Sequence, residues 1–547
     1  MARNSLFKTK SIDLLMAQTE EKGHKLKRAL GAFDLTLLGI GGIIGTGIFV
    51  LTGVGAALHA GPAITLSFVI SGLACVFAAL CYAEFASMIP VAGSAYTYSY
   101  ATLGELFAWI IGWDLILEYA VSSITVAIGW SGYFVNLLRG VGIVIPEWAC
   151  TPPLNIPAAL ITAVMTTLLV VGIRESARFN NVIVVIKVAV ILFFIGFGAF
   201  FVRAENWSPF MPFGFSGVMT GAAIVFFAYI GFDAVSTAAE ETKNPQRNLP
   251  IGIITSLVVC TVLYIVVSFV LTGIVPMRDF AKDQAFLAAP IAFALSLMHQ
   301  GWASGIISIG AVAGITSVLL VMMMGQPRVF FAMSRDGLIP QGVSKVHPRF
   351  QTPYITTIIT GVAVGLIAMM ITIGTAAELA NIGTLFAFAI VTAGIVVLRR
   401  TNPELERPFR TPLISVVAPV GLIFIFYLMF SLPVLTWIRF LTWLDIGLVL
   451  YFFYGRSHSR IATAADRQMS LSYFLDFWGV AILFNGALFG VLSLLALAGL
   501  TAIRYWTEIQ FVRLEPHHAA AVSGIVAAVG LAMLAAGRLT KGRGQAA

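Results

Sequence analysis

Apolar stretches of about twenty residues follow one another along this chain from residue 34 to residue 537, each bounded by charge, proline or glycine. They fall at about 34–57, 62–89, 103–138, 156–173, 179–202, 215–239, 250–275, 303–333, 353–373, 377–399, 412–433, 435–455, 471–500 and 517–537. A helix crosses a bilayer with ~20 mostly apolar residues, and lipid leaves a single segment no other way to satisfy its backbone. All fourteen are therefore predicted to be transmembrane helices, the third and eighth long enough to tilt or project. Only 11% of the residues are charged, against roughly 25% in a soluble chain. A soluble enzyme, a disordered chain and a nucleic-acid-binding domain are excluded as descriptions of the whole.

The net charge of +8 belongs to the loops. With the N-terminus inside, 25 of the 33 Lys and Arg residues fall on the cytoplasmic side and seven on the other. That asymmetry orients a membrane protein with both termini in the cytoplasm. The remaining cation is Lys187, in the middle of the fifth apolar stretch. The first 30 residues hold no apolar run long enough for a signal peptide. Cys75, Cys81, Cys150 and Cys260 have no paired spacing and read as small hydrophobes rather than a disulfide or metal framework. The predicted organisation is a cytoplasmic N-terminal segment (1–30), a ten-helix core (31–400), helices 11 and 12 (401–456), then helices 13 and 14 with a cytoplasmic tail (457–547). The longest loop, 276–302, carries an apolar stretch (286–297) and is expected to form a short helix over the outer face.

Two apolar stretches are interrupted. The first reads Leu38-Gly-Ile-Gly-Gly-Ile-Ile-Gly-Thr-Gly-Ile-Phe49, with glycine at 39, 41, 42, 45 and 47. At ~1 kcal/mol per glycine relative to alanine, a continuous helix there is undermined. Gly41 and Gly45 also have the four-residue spacing of membrane helix contacts, so close packing alone is an alternative. The sixth, Phe226-Phe-Ala-Tyr-Ile-Gly-Phe-Asp233, places Gly231 and Asp233 mid-helix. The two interruptions occupy matching positions if segments 1–5 and 6–10 form an inverted repeat. Paired broken helices are the best sequence pointer to a transporter's midplane site. Half-helix N-termini attract anions and freed carbonyls accept from cations. An amino acid presents both partners.

Charges inside a membrane are functional candidates by default. Lys187 lies roughly 12 Å from the cytoplasmic end of its helix at 1.5 Å per residue, the limit of what snorkelling can span. A desolvated lysine can exchange a proton near neutrality, and its ammonium could stand where another transporter holds Na⁺. Asp114 and Glu118 are one turn apart on the third helix, hence on one face; either could be a site carboxylate, or hydrogen-bond structurally to a Ser or Tyr. Glu84 is placed near an interface, and Glu240 and Glu241 in cytoplasmic solvent or in gate salt bridges. The seven histidines lack ligand spacing, and Met322–Met324 reads as packing, with a methionine available to line a pocket.

Residues 39–49 resemble the first-helix signature of the amino acid–polyamine–organocation superfamily. Cys81-Tyr-Ala-Glu-Phe85, Gly93-Ser-Ala-Tyr-Thr-Tyr98, Gly231-Phe-Asp-Ala-Val235, Glu240-Glu-Thr-Lys-Asn-Pro-Gln-Arg247 and Asn381-Ile-Gly-Thr-Leu385 are similar to its cationic amino acid transporter family, in particular to bacterial members. The resemblance runs from about Leu30 to Ser459. It implies an all-α, LeuT-like five-plus-five inverted-repeat fold, alternating access, and the inner membrane of a bacterium. It assigns substrate contacts to Ile43, Ile44, Gly45, Thr46 and Gly47 on the first helix, to Phe227, Ala228 and Ile230 on the sixth, and to Glu118 on the third. It assigns proton coupling to Lys187, in place of the sodium of sodium-coupled relatives, with carbonyls near Gly42 and the hydroxyls of Thr316 and Ser317 as its neighbours.

One departure bears on substrate. The eighth helix offers Val321 and Met322 near the pocket floor, with no acid for a cationic side chain. Small neutral amino acids such as alanine are expected at least as readily as Arg, Lys or ornithine. The expectation is thus a proton-coupled L-amino-acid importer with no cofactor beyond H⁺, no sodium site and no nucleic-acid partner. The peripheral helices are candidates for a small membrane-protein partner or a homodimer. A passive exchanger and a non-transporting amino-acid sensor are the alternatives. No ring of pore-lining polar residues points to a channel, and no nucleophile–base or metal cluster points to an enzyme.

Overall fold

The computed structural model describes residues 7–11 and 30–461, apart from short stretches (92–93, 172–176, 240–241, 277–283 and a few positions between 341 and 351), and a few residues between 478 and 482. Twelve of the fourteen predicted segments lie within this range, and all twelve are helical. The last two lie outside the described residues apart from those few between 478 and 482, as do Glu240 and Glu241. Among the described residues there is no strand, only one isolated bridge between Leu30 and Thr242.

The first helix runs Ala32–Ile43, breaks, and resumes over 47–60. The second is Ile64–Met88, the third Glu105–Gly140, the fourth Ile156–Val171, and the fifth Ala177–Gly198. The sixth begins as Gly214–Val225, tightens at Phe226–Tyr229, and resumes briefly at Ala234–Thr237. The seventh is Pro245–Ile274, the eighth Gly301–Arg335, the ninth Tyr354–Met370, the tenth Ile373–Thr401, the eleventh Ile414–Phe430, and the twelfth Val434–Leu450. Val182, Val185, Val258, Val262, Ile359, Val362 and Ile423 face outward. Such an apolar exterior is a liability in water and the expected surface against acyl chains.

The two longest helices, the third and eighth, run against each other because glycines admit large neighbours. Gly112 receives Met333, and Gly325 receives the ring of Tyr119. Small residues at such contacts let membrane helices approach closely. The loop before the eighth helix forms two short helices, Gln284–Ala288 and Pro290–Leu297. Pro290 sits on Gly53 and the Ala288 carbonyl on Gly132, so the loop lies over the C-terminal ends of the first and third helices.

The opposite face is built from buried charge. Glu84, placed near an interface by the sequence, is completely buried. Arg399 grips its two oxygens at 2.9 and 2.6 Å, and the Thr411 amide donates to it at 2.8 Å. This fork joins the second and tenth helices to the following loop. Residues 7–11 are also tied down. Lys10 is buried, its Nζ 2.9 Å from the Asp336 carboxylate at the end of the eighth helix, where the Tyr96 hydroxyl also donates at 2.7 Å. Glu105 accepts from Tyr100, Tyr451 and Ser459.

Candidate functional site

The break in the first helix poses an accounting problem: the last carbonyls of a helix have no intrahelical donor, and these are buried. Ile40 O still accepts from the Ile44 amide at 2.9 Å. Beyond it, donors come from other helices. Lys187 Nζ donates to Gly41 O at 2.6 Å and to Ile44 O at 2.9 Å, and reaches Ser317 Oγ at 3.4 Å. The Tyr264 hydroxyl lies 2.9 Å from Ile43 O. Gly42 O instead faces the backbone of Gly231. Lys187 is fully buried, its three N–H groups all engaged, so it does not snorkel. It sits at the carbonyl end of the half-helix, where the peptide dipoles favour a cation.

The predicted neighbours of Lys187 are corrected in one place. The carbonyls near Gly42 that it meets are those of Gly41 and Ile44, Gly42 itself being turned toward the sixth helix. Thr316 does not reach the ammonium. Its hydroxyl accepts from Trp130 Nε1 at 2.9 Å and donates to Val312 O, being one residue round the helix from Ser317.

The two broken helices meet at glycines. Gly231 has φ +116°, a conformation that costs an L-residue strain, and a β-carbon there would lie 2.7 Å from Gly42 O. Gly47 abuts the Ala228 backbone closely enough to admit no side chain. The sixth helix has its own carbonyl ends served: Asn381 Nδ2 donates to Ala223 O at 2.7 Å and to Ile224 O at 3.1 Å, and the Tyr264 hydroxyl lies 2.8 Å from Ala228 O. At the other side of the first break, the amides of Gly45, Thr46 and Gly47 open the second half-helix, where the first amides lack helical partners. The Tyr133 hydroxyl steadies that half by donating to Phe49 O at 2.7 Å.

Around the breaks the walls are apolar. Ile43, Ile44, Phe227, Ala228 and Ile230 are buried, as is Thr46, which fits against Gly129 of the third helix. Val318 packs on Gly45, and Met322 follows one turn later on the same face of the eighth helix. Glu118 belongs to a different neighbourhood: it lies beside Thr384 of the tenth helix and Asp233 of the sixth, whereas Lys187 contacts the first and eighth. Asp114, one turn below Glu118, is fully buried, its carboxylate 2.8 Å from where a β-carbon on Gly383 would stand.

The family model described as "Amino acid permease" matches residues 30–454. The chain belongs to this family. Amino acid permeases are transporters rather than enzymes, and this one is a multi-pass membrane protein of the amino acid–polyamine–organocation superfamily with its five-plus-five fold. The chain is 52% identical to the branched-chain amino acid permease BcaP of Bacillus subtilis over 469 residues, covering 84% of this chain and 99% of that one. It is 51% identical to the methylthioribose transporter of the same organism, covering 83% and 99%. It is 37% identical to the vacuolar cationic amino acid transporter 4 of Arabidopsis thaliana, covering 73% and 68%.

Sequence reasoning about this permease overlooked Tyr264, Tyr133 and Trp130. A signal existed: each is a polar-tipped aromatic inside an apolar run, and a buried tyrosine or tryptophan seeks a partner for its O–H or N–H. Asn381 stands out in the sequence only within the stretch Asn381–Leu385 that resembles the family, although an amide inside a membrane helix carries the same obligation.

Proposed function

We propose that this amino acid permease imports small neutral and aliphatic L-amino acids with protons, by alternating access, across a bacterial inner membrane with both termini in the cytoplasm. The observation that carries the reading is the opposition of the two broken helices at Gly42–Gly231 and Gly47–Ala228. It supports a site where the amides at 45–47 take a carboxylate and the carbonyl ends of the first and sixth helices take an ammonium. The walls of Ile43, Ile44, Phe227, Ala228, Ile230, Val318 and Met322 suit an uncharged side chain. A guanidinium among them would lose its hydration unpaired. The names of the two Bacillus relatives, a branched-chain permease and a methylthioribose transporter, agree with a neutral substrate.

Lys187 supports coupling to protons rather than sodium, because its ammonium already donates to the carbonyls a bound cation would use. Charged, it clamps the first helix to the fifth and eighth; losing a proton removes the charge and one of its three donors, which loosens its hold on Gly41, Ile44 and Ser317. Glu118 is proposed to bear on the substrate path through the sixth and tenth helices. Two measurements test the reading. A thermal-shift panel of the twenty amino acids should single out neutral ones, since a ligand at 100 times its Kd stabilises by about 2.7 kcal/mol. Accumulation of labelled alanine or leucine in proteoliposomes should require an inward proton gradient. Uptake of arginine alone would reverse the substrate; uptake indifferent to a protonophore and dependent only on internal amino acid would make the protein an exchanger.

A further inference from the structure

Tyr264 stands in the seventh helix, outside both breaks, yet its hydroxyl touches each of them. It lies 2.9 Å from Ile43 O, at the end of the first half of helix 1, and 2.8 Å from Ala228 O, just before the turn of helix 6. The side chain is fully buried, its ring centroid 5.4 Å from that of Phe68 and 5.3 Å from that of Tyr229. A phenol has one proton and these are two acceptors. Both carbonyls sit where the helical ladder has been interrupted, so no amide of their own helix competes for them.

We infer that Tyr264 is a positioning residue for the substrate's amine: by holding Ile43 O and Ala228 O on one hydroxyl, it fixes the two carbonyls at a separation that a single ammonium can bridge. Each carbonyl oxygen has two lone pairs. A shared phenolic proton occupies at most one of the four, and the ammonium brings three donors. Without the hydroxyl, two negative dipole ends face each other inside a dry core with nothing between them, and each is free to turn away. The phenol therefore preorganises the amine subsite, and an amine offering fewer N–H groups gains less from it. This rests on the reading that the breaks hold the amino acid.

The test is uptake of labelled L-leucine in proteoliposomes, with N-methyl-L-leucine as competitor, in the wild type, in Tyr264→Phe, and in a variant carrying 4-aminophenylalanine at 264. Removing the hydroxyl should raise the KM for leucine about threefold to tenfold, the range of one to two hydrogen bonds, with the maximal rate changed less than twofold. The preference for leucine over its N-methyl derivative should shrink by a similar factor. The aminophenyl variant, whose two N–H groups can serve both carbonyls at once, should restore both. Parallel loss of leucine and N-methyl-leucine, or a maximal rate that falls while KM holds, would assign the hydroxyl a merely structural part and overturn the inference. If Tyr264→Phe does not fold, an aminophenyl variant that folds but has lost the wild-type preference overturns it equally. A wild type that does not distinguish the two compounds overturns the placement of the amine at the breaks as well.

Discussion

Gly231 and Gly42 face each other backbone to backbone, with room between them for no side chain: a β-carbon on Gly231 would lie 2.7 Å from the Gly42 oxygen, and one on Gly42 would lie 3.2 Å from the Gly231 oxygen. The contact is reciprocal, each broken helix presenting a bare peptide to the other. Gly231 also carries the positive φ that ends the first half of the sixth helix.

Gly231→Ala is therefore expected to abolish uptake and to destabilise the fold by about 1–3 kcal/mol from strain alone, read as a lower melting temperature in detergent. Gly305 in the eighth helix supplies the control, because a β-carbon there meets nothing within 4 Å. Gly305→Ala should leave uptake intact and gain up to ~1 kcal/mol from helix propensity. Equal effects of the two substitutions would remove the special status of the crossing.

Lys187→Ala leaves Gly41 O and Ile44 O without their donor. Accumulation driven by a pH gradient should collapse to equilibration, while exchange of internal for external amino acid persists at a reduced rate. The sign follows from the clamp: a side chain that cannot be protonated cannot make its release depend on a proton. Full gradient-driven accumulation by this variant would dismiss Lys187 from coupling.

How far the sequence anticipates these features depends on how local their cause is. The twelve described helices and both breaks follow from composition and glycine placement, which act within a single segment. Lys187 is legible because a charge in an apolar run has no local remedy. Its donors' destinations are not: the difference between Ser317 and Thr316 is one step of rotation about the eighth helix, and the choice of Gly41 over Gly42 depends on which carbonyl the sixth helix covers. Glu84 shows the same limit. A glutamate near a helix end reads as interfacial until Arg399, more than 300 residues away, is known to close over it.

That fork yields a stability prediction. Removing one partner of a buried pair leaves the other charge unpaired, at about 3–5 kcal/mol, whereas a surface pair is worth about 0–1 kcal/mol. Arg399→Met should lower the melting temperature, by less than a fully unpaired charge would, because it leaves the Glu84 carboxylate the Thr411 amide at 2.8 Å and the Arg407 guanidinium at 3.4 Å, while the double variant Arg399→Met with Glu84→Gln should recover much of the loss. No recovery in the double variant would mean that the packing of the guanidinium, not its charge, joins the second and tenth helices.

Asn381 makes the last case, because its effect should appear in transport as well as stability. Its amide donates to Ala223 O and Ile224 O, the carbonyls that the sixth helix exposes as it approaches its break. Asn381→Ala removes the donor from Ala223 O and leaves Ile224 O with the Phe226 amide, and an unserved buried acceptor costs about 1–3 kcal/mol. Asn381→Asp keeps the shape but replaces the donating Nδ2 with a carboxylate oxygen that faces both carbonyls, so it should be worse than alanine. Asn381→Gln keeps the donors on a longer arm and should retain partial uptake. Melting temperature and leucine uptake measured on the three variants decide the matter: an aspartate variant as stable and active as the glutamine variant would show that the amide's donors do not hold the sixth helix at its break.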